Sequence, residues 1–152
     1  MSLLVGAAEW IRSQGINQWG HYLDGSGRAD LAEAIQNGDV YLCSVDGRPA
    51  GTISLHLTPS DWDRQIWGAA ADDGAVYIHR FAVAWAFAGT GLGARLLGWA
   101  EGQARAKEKR YLRLDCVAGN QALNAYYAKR FQPRAQAANI GMEFRQYEKV
   151  LD

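Results

Sequence analysis

The chain has 152 residues, 49% of them apolar and 21% charged, with 16 basic residues balanced by 16 acidic ones. That length and composition predict one folded domain, 1–152, with a sizeable core. The even charge leaves no electrostatic footprint for nucleic acid or an anionic membrane, and no apolar run approaches the ~20 residues that span a bilayer. No signal-peptide pattern is present, so a cytoplasmic protein is expected. Cys43 and Cys116 lie far apart in strand-like runs and are expected to be free thiols, with no metal site.

Ala7 to Ser13 has helical character and stops near Gly15, and Asn17 to Tyr22 looks like a loop. Asp30 to Gln36 predicts a short helix with Gly38 just past its end. Val40 to Val45 and Ala50 to Leu57 predict two strands joined by Asp46-Gly47, a strong hairpin signal. A polar loop containing Asp61-Trp62-Asp63 and Asp72-Asp73-Gly74 is expected next. Val76 to Val83 predicts a strand, Gly91 to Lys107 an amphipathic helix and Tyr111 to Val117 another strand. Asn120 is suited to cap a helix from Gln121 to about Lys129, and Met142 to Val150 predicts a closing strand. The order implies a mixed α/β sheet, antiparallel in its first half, with a strand-turn-helix-strand unit after it.

The turn in that unit, Gly89-Thr90-Gly91-Leu92-Gly93-Ala94, opens the backbone where a helix begins. First-turn amides have no intrahelical partner and the helix dipole is positive there, so such a turn suits phosphate. Glycine also serves plain turns, so the neighbours decide. A P-loop is excluded because no Gly-Lys-Ser/Thr ends the turn. Gly89, Gly91 and Ala94 fit a dinucleotide fingerprint, and Asp115 resembles its ribose-binding acid. However, five residues separate Val83 from Gly89, and an upstream hairpin replaces the required βα units.

From about Val40 to Phe131 the chain resembles the GNAT superfamily of acetyl-CoA-dependent N-acetyltransferases. The resemblance is carried by Ile78-His79-Arg80-Phe81-Ala82-Val83, Ala88 to Gly93, Leu112-Arg113-Leu114-Asp115, and Asn120 through Tyr127. It implies a GNAT-like fold with acetyl-CoA as co-substrate. It also implies that Gly89 to Ala94 cradle the coenzyme pyrophosphate and that Phe81, Ala82 and Val83 offer backbone to the pantetheine arm. Asn120 would bond that arm or simply cap its helix. Tyr127, rather than the neighbouring Tyr126, would be the general acid near the sulfur, and packing is the alternative for both rings. His79 or Asp115 would be the base. His79 is otherwise a satisfied strand histidine, and Asp115 otherwise pairs with Arg80 or Arg113. Trp19, His21, Trp62 and Trp67 fall on the acceptor side, either caging an amine or burying against the sheet.

The pattern is broken at three places. Ala88 stands where Arg or Gln is usual, Arg130-Phe131 replaces Gly-Phe one residue short, and little room remains before Trp10 for the family's first strand. A truncated first strand would leave an edge for pairing in a homodimer. The expected activity is acetyl transfer to a small-molecule or peptide amine by direct attack in a ternary complex. The alternatives are transfer of another acyl group, a non-catalytic acyl-CoA sensor and, behind these, a dinucleotide-binding domain.

Overall fold

A computed structural model describes residues 35–151. The predicted helix over 7–13, the loop over 17–22, most of the helix over 30–36 and the question of the first strand lie outside the described residues. The described strands are β1 (Val40–Val45), β2 (Arg48–His56), β3 (Ala75–Val83), β4 (Tyr111–Val117), β5 (Gln132–Asn139) and β6 (Met142–Val150). They form a mixed sheet in the order β1-β2-β3-β4-β6-β5. The helices are α1 (Asp61–Trp67), α2 (Leu92–Ala106) and α3 (Gln121–Ala128). β1 and β2 are antiparallel whereas β3 and β4 are parallel, as the sequence predicts. Residues 35–55 with 79–99 make one compact unit, and 56–78 with 100–151 make another.

In the first unit, β1 and β2 are joined by Asp46 (φ 52°) and Gly47 (φ 76°). Two successive positive φ values define the tight turn whose twist matches the flanking strands, which is why Asp-Gly predicts it. The core is Ala50, Leu92 and Leu96, with Val45, Phe81, Val83 and Phe87 packed against it. Gly51 is required here by space. A Cβ on it would lie 2.8 Å from Leu96 Cδ1 and 3.2 Å from the Ala82 carbonyl oxygen. Its bare backbone therefore lets α2 sit close on β2, which fixes the turn at the head of that helix.

In the second unit, β4 pairs with β6 from Tyr111↔Val150 to Val117↔Phe144 and with β3 from Ala75↔Tyr111 to Tyr77↔Arg113. Ile66, Trp67, Ala71, Ala75, Tyr77, Val117 and Phe144 form its core. Arg113 lies inside that core. Its guanidinium sits 4.4 Å above the Trp67 ring and 4.9 Å from Tyr111. Arg113 Nε donates to Glu148 (2.8 Å), and Nη1 donates to the Ala70 carbonyl (2.8 Å) and the Tyr77 hydroxyl (2.9 Å). Arg113 therefore pairs with Glu148, opposite it in the ladder, with Asp73 3.8 Å away, whereas for Asp115 the sequence offers Arg80 or Arg113.

Two elements differ from the sequence reading. The expected polar loop contains α1 and a 3-10 turn over Gly68–Asp72. Ser60 caps α1 by accepting from the Asp63 amide, while the Asp63 carboxylate accepts from the Ser60 N–H (2.9 Å). This reciprocal cap supplies the helix start that looked like loop punctuation. β5 is a mostly exposed strand whose sequence does not alternate. It is folded back on β6 by Ile140 (φ 45°) and Gly141 (φ 76°).

Candidate active site

The Gly turn belongs to the first unit. After β3 the chain makes a short 3-10 turn, Trp85–Phe87, and bends through Ala88 to Gly91 into α2. Gly89 (φ 76°) and Gly91 (φ 82°) hold left-handed backbone that disfavours any side chain. A Cβ at either would meet no described residue within 4 Å, so among the described residues the space beside them is open. Thr90 ties the loop down, its hydroxyl donating to the Phe87 carbonyl (2.6 Å). Arg95 N–H reaches the Gly91 carbonyl (3.2 Å) as the first bond of α2. The amides of Leu92, Gly93 and Ala94 before it have no helical carbonyl to reach. Amides without helical partners at the positive end of a 15-residue helix fit a pyrophosphate.

The strand leading into the turn is distorted. Arg80 takes φ 50°, a conformation that costs a non-glycine residue about 1–3 kcal/mol. Its Nε is buried and has no hydrogen-bond partner among the described residues. The kink comes just before Phe81, Ala82 and Val83. Phe81 and Val83 are packed against the core, so their backbone rather than their side chains is what they have to offer a ligand. His79 is half-buried in the same strand.

The second unit carries the titratable side chains. Asp115, half-buried on β4, accepts from the Trp62 indole N–H at 3.2 Å to each carboxylate oxygen. Trp62 stands edge-on to Phe144, with ring centroids 4.9 Å apart. Beside Asp115, the Cys116 thiol is pushed up to about 12, first by burial and then by the Asp115 charge. That thiol donates to Asn124 Oδ1 (3.4 Å), which also accepts from the Tyr147 hydroxyl (2.6 Å). The Asn124 amide donates to the carbonyls of Val117, Ala118 and Asn120 at 3.0, 3.3 and 2.8 Å. Asn120 caps α3, accepting from the Leu123 N–H (3.0 Å). The first turn of α3 is thereby bound to the end of β4 and to β6.

Tyr127 lies on α3 one turn beyond Asn124. It is 6% exposed, its ring held among Tyr126, Phe131 and Tyr147. No described residue hydrogen-bonds its hydroxyl. Burial, with smaller contributions from Cys116, Tyr126, Asp115 and Tyr147, holds the phenol well above the ordinary tyrosine range. Tyr126 is half-buried under the Arg130 guanidinium, 4.1 Å from its ring.

A model of the acetyltransferase (GNAT) family matches residues 4–131. The uncharacterized N-acetyltransferase YesJ of Bacillus subtilis (strain 168) is 43% identical over 127 residues, 84% of this chain and 71% of that protein. The chain belongs to the GNAT acetyltransferase family. A GNAT-family acetyltransferase from Listeria monocytogenes 4b F2365 superposes with a TM-score of 0.82 at 33% identity, covering 99% of this chain and 86% of that one. A GNAT acetyltransferase from Elizabethkingia anophelis, solved with acetyl-CoA bound, shares the fold with a TM-score of 0.60 at 18% identity. That match covers 80% of this chain and 81% of the other.

In this GNAT chain the second unit holds Tyr127, Asp115, Trp62 and Asn120, with Trp62 bonded to Asp115. The first unit holds the Gly turn and His79. Trp67, expected on the acceptor side, is a core residue with Arg113 over its ring and Tyr77 at its edge. Trp19 and His21 lie outside the described residues. Asn124 and Tyr147 were missed, although Asn124 falls one helical turn after Asn120 and shares its face. Among the described residues no cluster could hold a metal ion, and no helix is long and apolar enough to cross a membrane.

Proposed function

We propose that this chain is a single acyltransferase domain that moves the acetyl group of acetyl-CoA to a primary amine by direct attack in a ternary complex. The observation that carries the donor assignment is the open, positive-φ pair Gly89 and Gly91 at the head of α2. On this reading the amides of Gly89 to Ala94 hold the pyrophosphate, the backbone of Phe81 to Val83 meets the pantetheine amides, and Asn120 bonds that arm in addition to capping α3.

The chemistry needs a neutral amine, a polarised thioester and a stabilised thiolate. Asp115 takes the proton that the amine gives up as its nitrogen bonds to the acetyl carbon and the carbon–sulfur bond breaks. Tyr127 donates a hydrogen bond to the departing sulfur. A phenol held this high keeps its proton against a thiolate, whose conjugate acid ordinarily has a pKa of about 8.5. Stabilisation by donation therefore replaces the full proton transfer expected of a general acid, and the sulfur is protonated later from solvent. The Cys116 thiol at about 12 is essentially un-ionised at neutral pH, which supports direct attack over an acetyl-cysteine. Asp115 is preferred to His79 as base because its carboxylate is held by an N–H donor and acts on the Tyr127 phenol. A loss of turnover in His79→Gln but not in Asp115→Asn would reverse that choice.

The second reading, an acyl-CoA sensor, is favoured by Ala88 standing where an Arg or Gln is usual. The donor assignment is tested by thermal unfolding. Acetyl-CoA at a hundred times its Kd is expected to raise Tm by about 5–10 °C, and NADH to leave it unchanged. In Gly91→Ala, whose Cβ enters the cradle at φ 82°, the acetyl-CoA shift shrinks to about half or less. A shift with NADH instead would return the turn to the dinucleotide reading.

A further inference from the structure

Trp62 is placed with unusual care for a residue on a seven-residue helix. α1 is capped reciprocally by Ser60 and Asp63, and Asp63 is fully buried. The helix is also tied to the outer strands. Asn139 Nδ2 donates to Gln65 (2.5 Å), and Gln146 Nε2 donates to the Ile66 carbonyl (2.8 Å). Gln146 is the ladder partner of Asp115, so the helix is fastened beside the carboxylate it serves. Phe144 sets the plane of the indole by its edge-on contact at 88°. The result is one N–H shared equally, at 3.2 Å, between both oxygens of Asp115.

We propose that Trp62 is a positioning residue whose indole N–H orients the Asp115 carboxylate that takes the amine proton. This rests on the reading of Asp115 as proton acceptor and gives Trp62 a different role from a wall against the acceptor. An N–H donor to the charged form favours that form, and it fixes which lone pairs remain for a proton. A ring of the same shape without the N–H would fill the space and remove that one donor from the carboxylate.

The test is a pH titration by NMR of protein labelled at tryptophan nitrogens and aspartate carboxyl carbons, with no substrate present. The Trp62 indole resonance, identified by its absence in Trp62→Phe, is expected to move with pH at the midpoint of the Asp115 carboxyl and to stop moving in Asp115→Asn. In Trp62→Phe the Asp115 midpoint is expected to rise by about one pH unit. An indole resonance indifferent to Asp115→Asn, or an unmoved carboxyl midpoint in Trp62→Phe, would overturn the proposal. If Trp62→Phe does not fold, the Asp115→Asn arm still decides: one indole resonance must follow the Asp115 carboxyl midpoint in the parent and stop moving in Asp115→Asn, and the absence of any such resonance overturns the proposal. Turnover of acetyl-CoA is read separately by thiol release, so failure of the positioning role and failure of the functional reading give different results.

Discussion

Tyr127→Phe is expected to lower turnover by about a hundredfold to a thousandfold while leaving the affinity for acetyl-CoA unchanged. That magnitude is typical for removal of one preorganised donor to developing charge. The variant isolates the hydroxyl because the ring provides the packing, against Tyr126, Phe131 and Tyr147. No described residue bonds the hydroxyl, so Tm is expected to stay within about 2 °C of the parent. The pH dependence follows from the sign of the shift. Burial raises the Tyr127 pKa, so the donor remains protonated through the ordinary tyrosine range near pH ~10. The turnover profile of the parent should therefore show no alkaline loss from this group below that pH. The same shift makes a stabilising contribution that is fully present below ~10 and is lost as pH rises further, so the phenylalanine variant should resist alkaline unfolding better. Steady-state kinetics and coenzyme titration check both parts. An unchanged kcat would remove Tyr127 from the chemistry.

Arg113→Met is expected to cost about 3–5 kcal/mol, a large share of the ~5–15 kcal/mol that ordinarily separates folded from unfolded chains. The loss is larger than an ordinary core substitution because Arg113 is 3% exposed and Glu148 7% exposed, and Glu148 would be left as a buried charge. The contacts above Trp67 and Tyr111 and the bonds to Ala70 and Tyr77 would go as well. Arg134, 3.9 Å from Glu148 and 56% exposed, offers little compensation through solvent. Thermal unfolding should shift down by about 10 °C or more. The double variant Arg113→Met/Glu148→Leu should recover most of that, since a buried ion pair is worth little relative to apolar residues of similar size. If the single variant were tolerated within about 1 kcal/mol, Arg113 would not be the pillar of this unit. The point bears on function because Arg113 is two residues before Asp115 on β4.

Features governed by local rules were readable in the sequence. The Asp46-Gly47 hairpin follows from two positive φ values, α2 from its apolar spacing, and the start of α3 from the Asn120 cap. The Gly turn was readable because glycine is the one residue type that meets both its backbone and its open space. Long-range pairings were less accessible. The bond between Trp62 and Asp115 joins residues 53 apart, and the pairing of Arg113 with Glu148 joins residues 35 apart. Neither leaves a local trace, so the sequence offers Arg80 or Arg113 for Asp115 and gives no sign of Trp62 beside it or of Glu148 beside Arg113. Helix α1 was hidden by its length, since seven residues give too little periodicity, and by acidic residues that mark caps as readily as loops. β5 was hidden because an exposed edge strand has no buried face to impose alternation. The left-handed Arg80 has no sequence signature at all.

The most direct test of acetyl transfer is release of free coenzyme A thiol from acetyl-CoA across a panel of primary amines, with intact mass measured on the protein and the amine. Thiol release that depends on one class of amine, with the acetyl group found on that amine and none on Cys116, is the predicted result. Tight acetyl-CoA binding with no amine-dependent release from any member of the panel would contradict it and make the chain an acyl-CoA sensor.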